Sequence, residues 1–257
     1  MPPYNEWMTS LATDSAGASA GPESRSQTDV VLQGIKQMIT AGELGPGSRL
    51  PIEKDLAEAL GVSRGSLREG VRALSVMGVL ETRQGDGTYV TSLDSRLLLA
   101  PMGFMVDLQS PEHRHDLHAV RRVLETEAAA RAAIYITDDQ LERAEEILAS
   151  VGPLSLEPDN ADHESIMEAD ISFHHIVAQA SNNAALAALI DALANRTSRA
   201  RLWLGLHNHG QVRTAHTEHV AILAALRTHQ PDRARLLMAH HLLVVEDYVQ
   251  DHPADVD

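Results

Sequence analysis

Apolar residues recur at helical spacing through most of the chain. Val31, Ile35, Met38 and Ile39 predict a helix over 30–40. Leu56, Ala57 and Leu60 predict a second over 53–60, and Leu67, Val71 and Leu74 a third over 64–77. Gly42, Gly61 and Gly78 punctuate these runs, Gly45-Pro46-Gly47 forces a turn, and Ser63 is a residue type suited to capping the third helix. The period then changes. Two short β-rich runs flank Gln84-Gly85-Asp86-Gly87, which reads as a hairpin turn. Three helices and a wing describe a winged helix-turn-helix over residues 28–92, whose third helix would enter a DNA groove.

The remainder is less regular and then strongly helical. Pro101 and Gly103 interrupt an apolar patch over 97–105, so 93–113 reads as a linker, with room for a short packed helix. Residues 114–252 read as almost continuous helix. A first helix covers 116–134 and a second starts at Asp138 and is closed by Pro153 and Pro158. A third runs from about Asp162 to Ala180, and Ser181-Asn182-Asn183 breaks it. A fourth reaches about 206, a fifth spans 212–229, and Pro231 opens a sixth that reaches about Val249. Six helices with short connections predict an antiparallel all-helical bundle. The fold class is therefore mainly α, an N-terminal winged helix-turn-helix followed by a C-terminal bundle of about six helices. Residues 1–27 are rich in Ser, Ala, Gly, Pro and Thr without a period and read as a disordered leader, in which Arg25 is the one basic residue.

Composition narrows the picture. A chain of 257 residues suits two domains, and its 44% hydrophobic content can build a core, which must be aliphatic because aromatics are 3%. Cysteine is absent, which removes disulfides and thiolate metal sites and suits a reducing cytoplasm. No charged segment leads into an apolar signal region, and no apolar run approaches the length of a membrane span. The net charge of −15 looks wrong for a DNA binder. However, residues 28–92 hold seven basic and eight acidic side chains, so nearly all the excess negative charge lies elsewhere. Positive charge facing DNA must be local, which implies modest non-specific affinity and a clear salt dependence.

Arg64, Arg68 and Arg72 recur every four residues and line one stripe of the third helix. Arg64 and Arg68 lie near its start, where base edges come within reach and an arginine can bond guanine bidentately. Ser63 and Ser66 can donate to phosphates. The ordered run GELGPGSRLPIEKDLAEALGVSRGSLREGVRALSVMGVLETRQGDGTYV, from Gly42, resembles the DNA-binding domain of the GntR family of bacterial transcription regulators. That resemblance implies two further DNA contacts, Lys54 from the second helix and Gly85 from the wing. Two departures matter. Ile52 stands where the family usually has a capping residue, which weakens the second helix by about 1 kcal/mol. Lys54 replaces a frequent arginine, keeping the charge but losing the bidentate fork. Asp86 is unfavourable beside phosphate, so the wing is expected to meet DNA through its backbone.

The chain holds 14 histidines, most of them in the helical region. Asp170 and His174 share one face of the third bundle helix, with His219 on the fifth and His241 on the sixth. One carboxylate with three imidazoles suits Zn²⁺ or Ni²⁺, and also Mn²⁺. His216 is the reserve ligand. His163, His175, His207, His209 and His240 read as surface or supporting residues. The runs around Arg121-Arg122-Val-Leu-Glu125, Asp170 to His174, Glu218 to Leu223 and His240-His241-Leu242 resemble the FCD effector domain of the FadR-type branch of the same family. The resemblance implies a divalent metal on Asp170, His174, His219 and His241, and an effector carboxylate near Arg121. The expectation is a cytoplasmic, nucleoid-associated, homodimeric repressor that binds double-stranded operator DNA and senses a small organic acid. Two alternatives differ in class. One is a metal-dependent hydrolase fused to a DNA-binding domain, against which no general base is evident, since Glu125 and Glu218 read equally well as surface charges. The other is an acyl-CoA sensor without metal.

Overall fold

The computed structural model describes residues 26–108, 114–156, 162–193 and 209–251. The chain divides into two compact units, with the division between Leu93 and Asp94.

The first unit is a winged helix-turn-helix. Helix α1 spans Gln27–Thr40, α2 spans Glu53–Leu60 and α3 spans Arg64–Val76. Helix α1 begins three residues ahead of its apolar pattern, because Ser26 caps it by accepting a hydrogen bond from the Thr28 amide. Ile52 precedes α2 and supplies no side-chain cap, as its side chain dictates. Gly61 ends α2 in the left-handed conformation at φ 64°, which a Cβ would disfavour. Helix α3 starts on the Ser63 cap, whose side chain accepts from the Ser66 amide. The wing pairs β1, Leu80–Arg83, antiparallel with β2, Gly87–Val90. Arg83 lies opposite Gly87, so the loop is three residues and Gly87 belongs to the strand. The segment before α2 joins this sheet through an Arg49–Tyr89 bridge, and Leu50 N donates to Thr88 O at 2.8 Å. Val31, Ile35, Leu56, Leu67, Leu74, Leu80 and Val90 close the core. Helices α1 and α3 approach closely where Gly70 faces Val31.

The second unit is helical among the described residues. The stretch read as a linker with room for a short helix contains α4, Ser95–Asp107. Asp94 explains the start, since its Oδ1 accepts from the Leu97 amide at 2.9 Å and its carbonyl from Leu98. Pro101 lies inside this helix rather than ending it. Helix α5 spans Arg114–Tyr135 and α6 spans Asp138–Leu156. Pro153 was expected to close α6 but is inside it; α6 packs on α7 and α9, and one missing backbone bond does not end it. Helix α7, His163–Ala180, begins on the Asp162 cap. A further helix, α8, starts at 184, and its described part ends at 193. Helices α9, His209–Arg227, and α10, Pro231–Asp251, complete the unit, with Pro231 at the first helical position. Helix α5 packs most extensively against α10. The core is Ala129, Ala132, Ala133, Phe173, Val177, Ile222, Leu226, Ala234 and Met238, small and aliphatic apart from Phe173. No helix among the described residues is long and apolar enough to cross a membrane. Residues 1–25 of the leader, the expected end of the fourth bundle helix and His207 lie outside the described residues.

Candidate DNA-binding surface and metal cluster

The start of α3 gathers most of the expected DNA contacts. Ser63 and Ser66 hydroxyls lie 2.9 Å apart. Gln27 Oε1 accepts from the Ser63 amide at 3.3 Å and from the Ser66 hydroxyl at 3.0 Å, tying α1 to the tip of α3. Arg64 is exposed in the first turn. Arg68, one turn later, is not a free cation. Its Nε lies 3.0 Å from both oxygens of Glu53, and its Nη2 donates to Oε2 at 2.8 Å. The guanidinium beside Glu53 holds that carboxyl below the usual range through this hydrogen bond. Lys54 is exposed in the first turn of α2. Gly85 sits at the wing tip with φ 75° and open space around its Cα, so backbone can approach a phosphate there. Asp86 is held within the wing, accepting from Tyr89 Oη at 2.7 Å, with its carbonyl bonded by Arg49. Arg83 stacks over Tyr89 at 4.1 Å. A cleft of about 690 Å³ separates α3 from the wing and is lined by Arg49, Arg68, Arg72 and Arg83 together with Glu53 and Asp86.

In the second unit, helices α7, α9 and α10 bring Asp170, His174, His219 and His241 together, with one donor atom from each within 4.8 Å of the others. His219 Nε2 lies 3.1 Å from His241 Nε2 and 3.5 Å from Asp170 Oδ1. His174 Nε2 lies 3.7 Å from the same oxygen. Donors bound about 2.0–2.1 Å from one small ion sit roughly 3.0–3.4 Å apart, so these separations are close to coordinating distance. The three rings are buried.

The orientation of the rings is set from behind. Glu125 on α5 hydrogen-bonds His174 Nδ1, and its other oxygen accepts from Arg121 Nε. Glu218 on α9 accepts from His241 Nδ1 at 2.8 Å. Each carboxylate fixes the Nδ1–H tautomer and turns the Nε2 lone pair toward the cluster. His174 Nε2 is buried and makes no hydrogen bond among the described residues. Burial holds the His174 imidazole below the ordinary histidine range, against the pull of Glu125 and Asp170, which keeps it in the neutral form a metal ligand needs. The donor chemistry and this lone pair both fit a divalent cation.

Other sequence-singled residues fall outside the four. His175 bonds Asp191 at 2.7 Å, and exposed His240 meets Glu218 at 3.2 Å. His216 packs against Gly152, and burial lowers its pKa. Arg121 is 1% exposed and engaged with Glu125 rather than presented at a surface. Glu125 and Glu218, read as surface charges, are instead the residues that aim two of the imidazoles. Only the Arg121–Glu125 spacing of four and the Glu218–His219 adjacency hinted at them.

Comparison with known proteins agrees for both units. Residues 27–90 match the profile of bacterial regulatory proteins, gntR family, and residues 116–243 match that of the FCD domain. The HTH-type transcriptional regulator LutR of Bacillus subtilis (strain 168) is 33% identical over 221 residues, spanning 84% of this chain and 97% of LutR. The HTH-type transcriptional repressor NanR of Enterobacter sp. (strain 638) is 28% identical over 220 residues, spanning 84% and 82%. The solved structure of Streptococcus agalactiae GntR superposes with a TM-score of 0.60 at 29% identity, covering 86% of this chain and 99% of that one. These relatives are transcriptional regulators, not enzymes.

Proposed function

This chain belongs to the GntR family of bacterial transcription regulators and carries an FCD domain, and from that premise we propose that it is a metal-containing, ligand-responsive repressor that binds operator DNA as a homodimer. In this reading residues 28–92 recognise DNA and residues 114–252 sense the ligand. The observation that carries the sensing half is the convergence of Asp170, His174, His219 and His241, with a buried lone pair on His174 Nε2. Those four residues would hold Zn²⁺ or Ni²⁺, with Mn²⁺ also fitting the donor set. The ion would supply Lewis acidity toward an anionic oxygen of a small organic acid. Glu125 and Glu218, by accepting from Nδ1–H of His174 and His241, leave Nε2 as the lone-pair atom facing the cluster. Arg121, whose Nε is held by Glu125, is the buried guanidinium that would pair with a carboxylate oxygen of the organic acid.

On the DNA side, Arg64 and Arg68 read bases, Ser63, Ser66 and Lys54 bond phosphates, and Gly85 lets the wing backbone approach. Two such units fit a near-palindromic operator. A ligand that binds better to the DNA-free arrangement shifts the population and releases the operator. The repressor sign follows NanR, which its name describes as a repressor.

The test is metal content of tag-free, dialysed protein by plasma mass spectrometry, wild type beside His219→Ala. The expected result is about one ion per chain in the wild type and loss in the variant. Folded wild type that contains no ion and takes up neither added Zn²⁺ nor Ni²⁺ overturns the metal.

A further inference from the structure

Glu53 opens α2, fifteen residues before Arg68 in sequence, and the turn between α2 and α3 brings the two side chains into register. Both are about half exposed, so burial does not force the pair. A guanidinium has two edges that can bond bidentately. One is formed by Nε and Nη2, the other by Nη1 and Nη2. Glu53 takes the first with three short contacts. The second edge is left open, since Arg68 Nη1 makes no hydrogen bond among the described residues. The second edge is also the one that can reach end-on to a guanine O6 and N7.

A carboxylate on this surface is otherwise unfavourable, since it faces the same polyanion that the arginines attract. Its geometry accounts for its presence. We propose that Glu53 is a positioning residue for sequence recognition: it clamps the Nε edge of Arg68 so that the Nη edge is held out, pre-ordered, to read one base pair in each half-site. This inference rests on the reading of Arg68 as a base contact. Without the clamp, the long Arg68 side chain samples many rotamers and bonds phosphates as readily as a base. Ordering the side chain before encounter moves that entropic cost from binding to folding. The Glu53 charge also weakens contact with every sequence alike, so the clamp raises discrimination while lowering overall affinity.

The experiment uses full-length protein. An operator is selected by the wild type from a random 30-base-pair duplex pool, and affinities are measured for that duplex, for single-base variants and for a scrambled duplex. Wild type, Glu53→Gln, Glu53→Ala and Arg68→Ala are compared at two salt concentrations, with thermal melting alongside. The expected result is that Glu53→Ala binds the scrambled duplex more tightly than wild type does. Its operator-to-scrambled ratio should fall by about tenfold, with the discrimination lost at the base pair that Arg68→Ala also ceases to read. Glu53→Gln, which can accept one of the bonds, should fall between. Equal gains on operator and scrambled DNA would overturn the inference, because Glu53 would then act only as net charge. Equal losses with a lowered melting temperature would also overturn it, because the pair would then be a structural tie between α2 and α3. Unchanged operator binding in Arg68→Ala would overturn both the inference and the reading beneath it.

Discussion

Glu125 joins three side chains that are almost entirely excluded from water, its own at 2% exposure, Arg121 at 1% and His174 at 0%. One oxygen accepts from Arg121 Nε and the other meets His174 Nδ1. Substitution by alanine strips a buried guanidinium of its carboxylate, and breaking a buried pair from one side costs about 3–5 kcal/mol. Glu125→Ala is therefore expected to unfold at markedly lower urea concentration. Glu125→Gln separates stability from metal binding. Its amide oxygen can still accept from Arg121, but its amide nitrogen then faces His174 Nδ1 as a donor. Donor against donor forces His174 into the other tautomer, with the proton on Nε2, where a metal would bind. Losing such an orienting partner weakens metal affinity by about 10- to 100-fold, or about 1.4–2.7 kcal/mol. The assay is competition for Zn²⁺ against a chromophoric chelator at pH 7.5, with urea denaturation of the metal-free protein in parallel. A Glu125→Gln protein that is folded and binds Zn²⁺ with wild-type affinity would refute the argument that Glu125 sets the tautomer.

Three further outcomes follow from the fold. Gly70→Ala places a methyl group where Val31 side-chain carbons lie only 2.5–2.7 Å away. Val31 is β-branched and fixed in its helix, so the clash of about 1–3 kcal/mol exceeds the gain of about 1 kcal/mol from replacing a helical glycine. Combining it with Val31→Ala should cost less than the sum of the two, as read from melting temperatures. Ile52→Ser places a capping hydroxyl on extended backbone at the start of α2 and should stabilise the protein by about 1 kcal/mol, measured by urea midpoint. Hydrogen bonds from Ser165 to Asp162 hold its carboxyl below the usual range. That cap is complete above the unfolded value of about 3.9 and is lost as pH falls through the lower folded one, so Asp162→Asn should flatten the acid limb of stability against pH between 5 and 2.

The first unit was legible because its determinants are local. The Ser63 cap, the left-handed Gly61 and the change of period at the wing each act within a few residues. The four-donor cluster was legible in part, since only Asp170 and His174 share a helix and the family resemblance supplied the others. Pro101 and Pro153 misled because a proline removes one backbone bond, whereas packing along the rest of α4 and α6 is decided by neighbours far away in sequence. Glu125 could not be placed, because its meaning depends on His174, 49 residues later. Arg68 was singled out by its place on the third helix, but its partner Glu53 belongs to another helix, and helical spacing carries no information across a turn.

The cluster also has a consequence in time. Its donors enter from α7, α9 and α10, and the last of them, His241, comes 71 positions after the first. During synthesis on a ribosome Asp170 and His174 emerge together, offering an ion two neighbouring ligands and nothing to enclose it. His219 follows later, and the pocket closes only when α10 has left the exit tunnel and docked along α5. A polypeptide interrupted between residues 93 and 240 can make every helix of the DNA-reading unit yet hold an incomplete cage. Retention of the proposed ion would thus require translation to have run through α10.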